Sequence, residues 1–103
     1  MNPRIYTLTR TDISDGQKGI QAAHSLAQYI IDYNPHQKGE WSNGSIINLG
    51  LGSQKSIKRW IKKLDDLNLK YSIFREPDMN HEITSIAILH IGDIFKGIPL
   101  LHK

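Results

Sequence analysis

The chain has 103 residues, 39% hydrophobic and 22% charged, with a formal net charge of +3 at pH 7. That length accommodates one hydrophobic core and not two, and the composition excludes an intrinsically disordered chain. With no cysteine, a disulfide framework, a thiolate nucleophile and a thiolate metal site are excluded, so any chemistry rests on oxygen and nitrogen groups. The mild positive charge suits a polyanionic partner without requiring one. No apolar stretch approaches the roughly 20 residues that cross a bilayer, and the N-terminus enters a strand pattern at once. The expectation is a soluble cytoplasmic protein with no membrane partner.

Arg4-Ile5-Tyr6-Thr7-Leu8-Thr9 is rich in β-branched and aromatic residues and reads as a first strand, with Arg10 and Asp12 at its C-terminal mouth. Ser14-Asp15-Gly16-Gln17 matches a capping box, with Ser14 accepting from the new helix and Gln17 reaching back. The helix is expected from about Asp15 to Tyr33, stopped by Asn34-Pro35. On a helical wheel Ile20, Ala23, Leu26, Ala27, Ile30 and Ile31 share one broad side, the expected core face. Gln17, Gln21, His24 and Gln28 form an amide and imidazole stripe beside it.

A polar loop holding Trp41 leads to a second strand at Ser45 to Leu51, with Trp41 expected to close over its start. Gly52-Ser53 then caps a helix from Gln54 to about Leu67, whose apolar positions Ile57, Trp60, Ile61 and Leu64 keep helical spacing. Lys55, Lys58, Arg59, Lys62 and Lys63 crowd its remaining surface. A third strand at Lys70 to Arg75, a polar connection at Glu76 to His81 and a fourth strand at Glu82 to His90 follow, with short elements near Ile94 and Leu100. The order β-α-β-α-β-β predicts a single α/β domain with a four-stranded mixed sheet flanked by helices. Ligands of such sheets sit beyond the strand ends, where Arg10, Asp12 and the first helix start.

Several residues are candidates for chemistry, each with a plainer alternative. His24 lies on the stripe with Gln17 and Gln21, where an imidazole can orient a substrate or shuttle a proton, or simply sit at the core's edge. Gln17 and Gln21 offer donors and acceptors but no general base, and the capping box alone explains Gln17. Asp78 follows Pro77 in a turn, where a carboxylate can polarise water or merely stabilise the turn. Glu82 and Thr84 share one strand face by period two. The cations of the second helix can neutralise phosphates or form a solvated face. The five histidines show no close metal-ligand spacing, and no Gly-x-Ser-x-Gly elbow is present.

Arg10-Thr11-Asp12-Ile13 followed by Gln21-Ala22-Ala23-His24, together with Phe74-Arg75-Glu76-Pro77-Asp78 and Glu82-Ile83-Thr84-Ser85-Ile86-Ala87, resembles the second (archaeal and eukaryotic type) family of peptidyl-tRNA hydrolases in a shortened form. The resemblance spans Ile5 to Leu89. It implies an α/β fold with a four-stranded mixed sheet and cleavage of the ester joining a peptide to the terminal ribose of tRNA, without a required metal or other cofactor. It also implies catalytic roles for Asp78, which would orient water, and for His24 and Lys18 or Gln17. Substrate contacts would come from Arg10, Asp12, Gln21, Glu82 and Thr84, with Lys58, Arg59 and Lys62 on the tRNA backbone. The position four residues before the signature glutamine, where the family typically carries lysine, is Gln17 here, with Lys18 next; Asp78-Met79-Asn80 stands where the family has Asp-Ala-Gly.

Three functional expectations follow. The first is a peptidyl-tRNA hydrolase-like esterase; the second is a catalytically silent tRNA- or protein-binding module of the same fold; the third is a hydrolase of another small ester or amide. A homodimer is compatible with any of them.

Overall fold

A computed structural model describes residues 2–102. Strand β1 (Arg4–Arg10), helix α1 (Asp15–Tyr33), strand β2 (Ile46–Leu51), helix α2 (Gln54–Asp66), strand β3 (Ser72–Glu76), a short 3-10 turn (Pro77–Met79) and strand β4 (Glu82–His90) follow in the expected order. The sheet runs β2-β1-β4-β3. The β1–α1–β2 crossover makes β1 and β2 parallel, whereas β4 pairs antiparallel with both β1 and β3. This is the four-stranded mixed α/β sheet the sequence predicts.

Alternation along the strands assigns a helix to each face of the sheet. Tyr6, Leu8, Leu49, Ile83, Ile86 and Ile88 pack with Ile57 and Leu64 of α2 and with Phe95. Ile5 and Ala87 face the other way, against Tyr29 of α1 and Trp41. Trp41 closes over the start of β2 as expected, and its indole Nε1–H donates to the carbonyl of Ser45 at 3.3 Å. Beyond β4, the turn at Asp93–Ile98 buries Phe95, and the tail then pairs along β2: the Gly50 N–H donates to Pro99 and the Leu101 N–H to Asn48. A Cβ on Gly50 would stand 2.7 Å from the methyl of the exposed Thr11 side chain, which would have to turn away, and 3.5 Å from Leu101 Cα of the tail, an ordinary contact.

Helix α1 starts where the cap predicts. Ser14 is extended, and its side chain accepts from the Gln17 N–H; the helix ends on left-handed Asn34. Its burial corrects part of the expected core face: Leu26 and Ile30 do pack against the cluster of Ile5, Tyr29, Trp41 and Ala87, but the rest of that face does not. The buried residues are Gln21, Ala22, Ser25 and Tyr29, while Ile20 is 50% and Ile31 70% exposed, and Ala23 and Ala27 face solvent. The reason lies in the sheet beneath: β1 and β4 present Thr9, Thr84, Ser85 and Ala87 there, a floor that accepts small and hydrogen-bonding side chains. Ile31→Lys is therefore expected to change unfolding free energy by less than about 0.5 kcal/mol, against about 2 kcal/mol or more for a core isoleucine. Urea unfolding of the variant decides between these values.

Candidate active site

Four segments converge at the C-terminal end of β1: the β1–α1 turn, the first turns of α1, the N-terminus of α2 and the β3–β4 connection. Arg10 is the last residue of β1, and its guanidinium is drawn into the structure by two carboxylates. Nε and Nη2 donate to Asp12 at 2.8 and 3.0 Å, and Nη1 donates to Glu82 at 2.6 Å. The Arg10 side chain is 9% exposed but those of Asp12 and Glu82 are each 41% exposed, so solvent meets carboxylates rather than the cation. The Arg10 hydrogen bonds hold the Asp12 carboxyl below the usual carboxylate range, and Asp12 in turn raises the already high pKa of Arg10.

Beside this cluster lies a network centred on Gln21, which is fully buried. Its Nε2 donates to Gln17 Oε1 at 3.0 Å and to Glu76 Oε1 at 3.1 Å, while its Oε1 accepts from the Thr84 hydroxyl at 2.6 Å. Three of its four hydrogen-bonding capacities are thus used, which fixes the amide's orientation. The Gln17 side chain points along the helix into this network; of the expected capping box, only the Ser14 half forms. Thr84 reaches Gln21 because β4 bulges: Phe74 pairs with Ser85 but Arg75 pairs with Ile83, leaving Thr84 as the extra residue.

A second polar chain continues beneath α1. Ser25 donates to the Ala22 carbonyl at 3.0 Å, and the Ser25–Ser85 and Ser85–Thr9 hydroxyl pairs each lie 2.7 Å apart. Because each hydroxyl carries one proton, Ser85 must donate to Ser25 and Thr9 to Ser85. Sequence reasoning missed Thr9, Ser25 and Ser85, although the Thr84-Ser85 pair within an otherwise apolar strand was a signal. Glu76 also escapes it: the sequence pattern places it in the connection, whereas it ends β3 and is the carboxylate that reaches the helix stripe.

The remaining candidates are distributed as follows. Asp78 sits in the 3-10 turn two residues beyond Glu76, exposed and with no hydrogen bond to another described side chain. Asn80 and His81, just after it, are both left-handed, at φ 53° and 58°. Two consecutive residues in that region, one of them His, strain the connection locally; the His81 N–H bond to Glu76 and the Arg75 bond to the His81 carbonyl hold it in place. His24 is exposed and stacks on Phe74 with ring centroids 4.3 Å apart; among the described residues no hydrogen bond joins it to Asp78. Lys18 is paired with Asp15 at 3.0 Å, an interaction that lowers the Asp15 pKa.

Helix α2 begins at the same end of the sheet, where Gln54 Oε1 accepts from the Ile83 N–H at 2.8 Å. Lys55, Lys58, Arg59, Lys62 and Lys63 are all exposed, with Lys63 over the Trp60 ring at 4.5 Å. Both helix N-termini, each with partial positive charge, therefore stand at the end carrying Arg10 and Glu82. Among the described residues no three metal-ligating side chains cluster, and no helix is long and apolar enough to cross a membrane.

No family model and no curated protein matches the chain. A solved protein of unknown function from Agrobacterium tumefaciens is similar in structure, with a TM-score of 0.70 and 14% sequence identity over 97% of this chain and 98% of that one. At that identity the likeness extends to the fold alone.

Proposed function

We propose that the protein is a peptidyl-tRNA hydrolase-like esterase that cleaves the ester between an acyl group and the 3'-terminal ribose of tRNA. The observation that carries this reading is the buried Gln21 amide, held at once by Gln17, Thr84 and Glu76 at the edge of the connection that bears Asp78. The amide holds the Glu76 carboxylate in one arrangement two residues before Asp78, at an edge where a carboxylate can orient a water for attack on an ester carbonyl. Asp78, exposed and unpaired among the described residues, takes the water. Glu76 fixes the turn against α1 and is the second carboxylate within reach of the stripe.

The oxyanion that forms on attack needs donors. Lys18 is engaged by Asp15, and Arg10 by Asp12 and Glu82, which leaves amide donors of Gln17 and the first turn of α1, and Arg75 from β3, as the groups able to stabilise it. Carboxylates crowd this end of the sheet, so the exposed cations of α2 are the more suitable partners for the phosphates of tRNA. Release of the acyl group from N-acetylaminoacyl-tRNA by wild-type protein, and its loss in Asp78→Asn or Glu76→Gln, tests the reading. For the partner, Lys58→Gln, Arg59→Gln and Lys62→Gln combined should weaken tRNA binding. They should also flatten the slope of log affinity against log salt by about two to three. An unchanged slope with retained ester cleavage would point to a small ester as substrate.

One observation favours the second reading, a tRNA-binding module without turnover. Two cations beside the site, Arg10 and Lys18, are already neutralised by the protein's own carboxylates. That reading expects salt-sensitive tRNA binding with no acyl release.

A further inference from the structure

We propose that the cavity beside Glu40, at the end of the sheet opposite the candidate active site, binds a small organic ammonium carried on a short apolar stem. A cavity of about 380 Å³ is lined by Pro3, Glu40, Leu89, His90 and Ile91. A second, of about 260 Å³, shares Pro3 and Glu40 and is walled by Trp41 and Ser45. Glu40 is the one charged residue common to both. These volumes far exceed what a single water occupies, and the larger one falls in the range of small-molecule sites.

The chemistry of the occupant follows from Glu40. Its Oε1 is buried and receives no hydrogen bond, the one such side-chain atom among the described residues. No cation pairs with it among those residues either. The residue as a whole is only half-buried and lines both cavities, and a carboxylate only accepts, so the complementary group is a cationic donor. A divalent metal would need further ligands, and no three candidate ligands gather here among the described residues. The apolar walls supply the rest of the recognition: Pro3, Leu89 and Ile91, the last 53% exposed at the rim. The Glu40 loop is already braced, because the Glu40 and Trp41 N–H groups both donate to the Pro35 carbonyl, at 2.8 and 3.3 Å. Burial first, and then the charge of Glu40, push the Tyr29 hydroxyl up to about 12.

The test is a titration of the whole protein with n-butylammonium chloride, followed by nuclear magnetic resonance at the Trp41 indole N–H, with the Trp60 indole on α2 as internal reference. Saturable shifts at Trp41 and at the Leu89 and Ile91 methyls are expected, with 1-butanol and sodium butyrate at least tenfold weaker. Glu40→Gln should weaken binding roughly tenfold or more, the size expected for a hydrogen bond to a charged group. Ile91→Arg, which places a competing cation at an exposed rim position, should do the same in a protein whose spectrum is otherwise native. No saturable shift at Trp41, equal binding of butanol, or full binding by both variants would overturn the proposal. The outcome is independent of ester cleavage at the other end of the sheet.

Discussion

Gln21→Ala is expected to lower the unfolding free energy by about 3 kcal/mol, measured by urea denaturation. The side chain is fully buried, so its removal leaves a cavity under α1. It also leaves the Thr84 hydroxyl without its acceptor and Glu76 without its donor. Gln21→Met separates these contributions. It restores most of the volume but not the hydrogen bonds, and should retain a loss of about 1–3 kcal/mol. A loss below about 0.5 kcal/mol in the alanine variant would mean that the amide is not held as described.

The second large effect is at Arg10, and it depends on pH. Removing a fully buried partner from an ion pair costs about 3–5 kcal/mol. Asp12 and Glu82 keep much of their solvent contact, so screening reduces the expected cost of Arg10→Ala to about 2 kcal/mol at pH 7. Arg10 holds the Asp12 carboxyl below its ordinary value, so this contribution is fully present above the unfolded pKa near 4. It is lost as pH falls through the lower, native value. The stability gap between wild type and Arg10→Ala should therefore narrow below about pH 4. Urea midpoints at pH 7 and pH 3 check this; a gap that stays constant would show that Asp12 is not held by Arg10 in solution.

The strand and helix order was readable because each element carries its own local signal. Ser14 and Asn34-Pro35 bracket α1 by cap chemistry, and the alternation in β1 and β4 distinguishes the two sheet faces. What was not readable is how α1 sits on the sheet. Hydrophobic periodicity favoured the side with Ile20 and Ile31, but the surface beneath α1 is made of Thr9, Thr84 and Ser85, residues distant in sequence whose hydroxyls take Gln21 and Ser25. The same limit applies to the site. Arg10, Asp12, Gln17, Gln21, Glu82 and Thr84 could be picked out from their positions at the strand end and along the helix, and the structure brings them together in two adjoining networks. Glu76 could not, because its role depends on β3 running one residue further and lying against α1. The β4 bulge that turns Thr84 to Gln21 is marked only by the adjacent Thr84-Ser85 pair, which breaks the strand's alternation without indicating the partner it meets.

The most direct test of the central claim is single-turnover release of the acyl group from N-acetylaminoacyl-tRNA, with Asp78→Asn and Glu76→Gln measured beside wild type. Wild type should cleave, with the rate reduced at least about a hundredfold in Asp78→Asn, as expected when a water-orienting carboxylate is lost. Wild-type protein that binds tRNA but releases no acyl group, or cleavage unchanged in both variants, would contradict it.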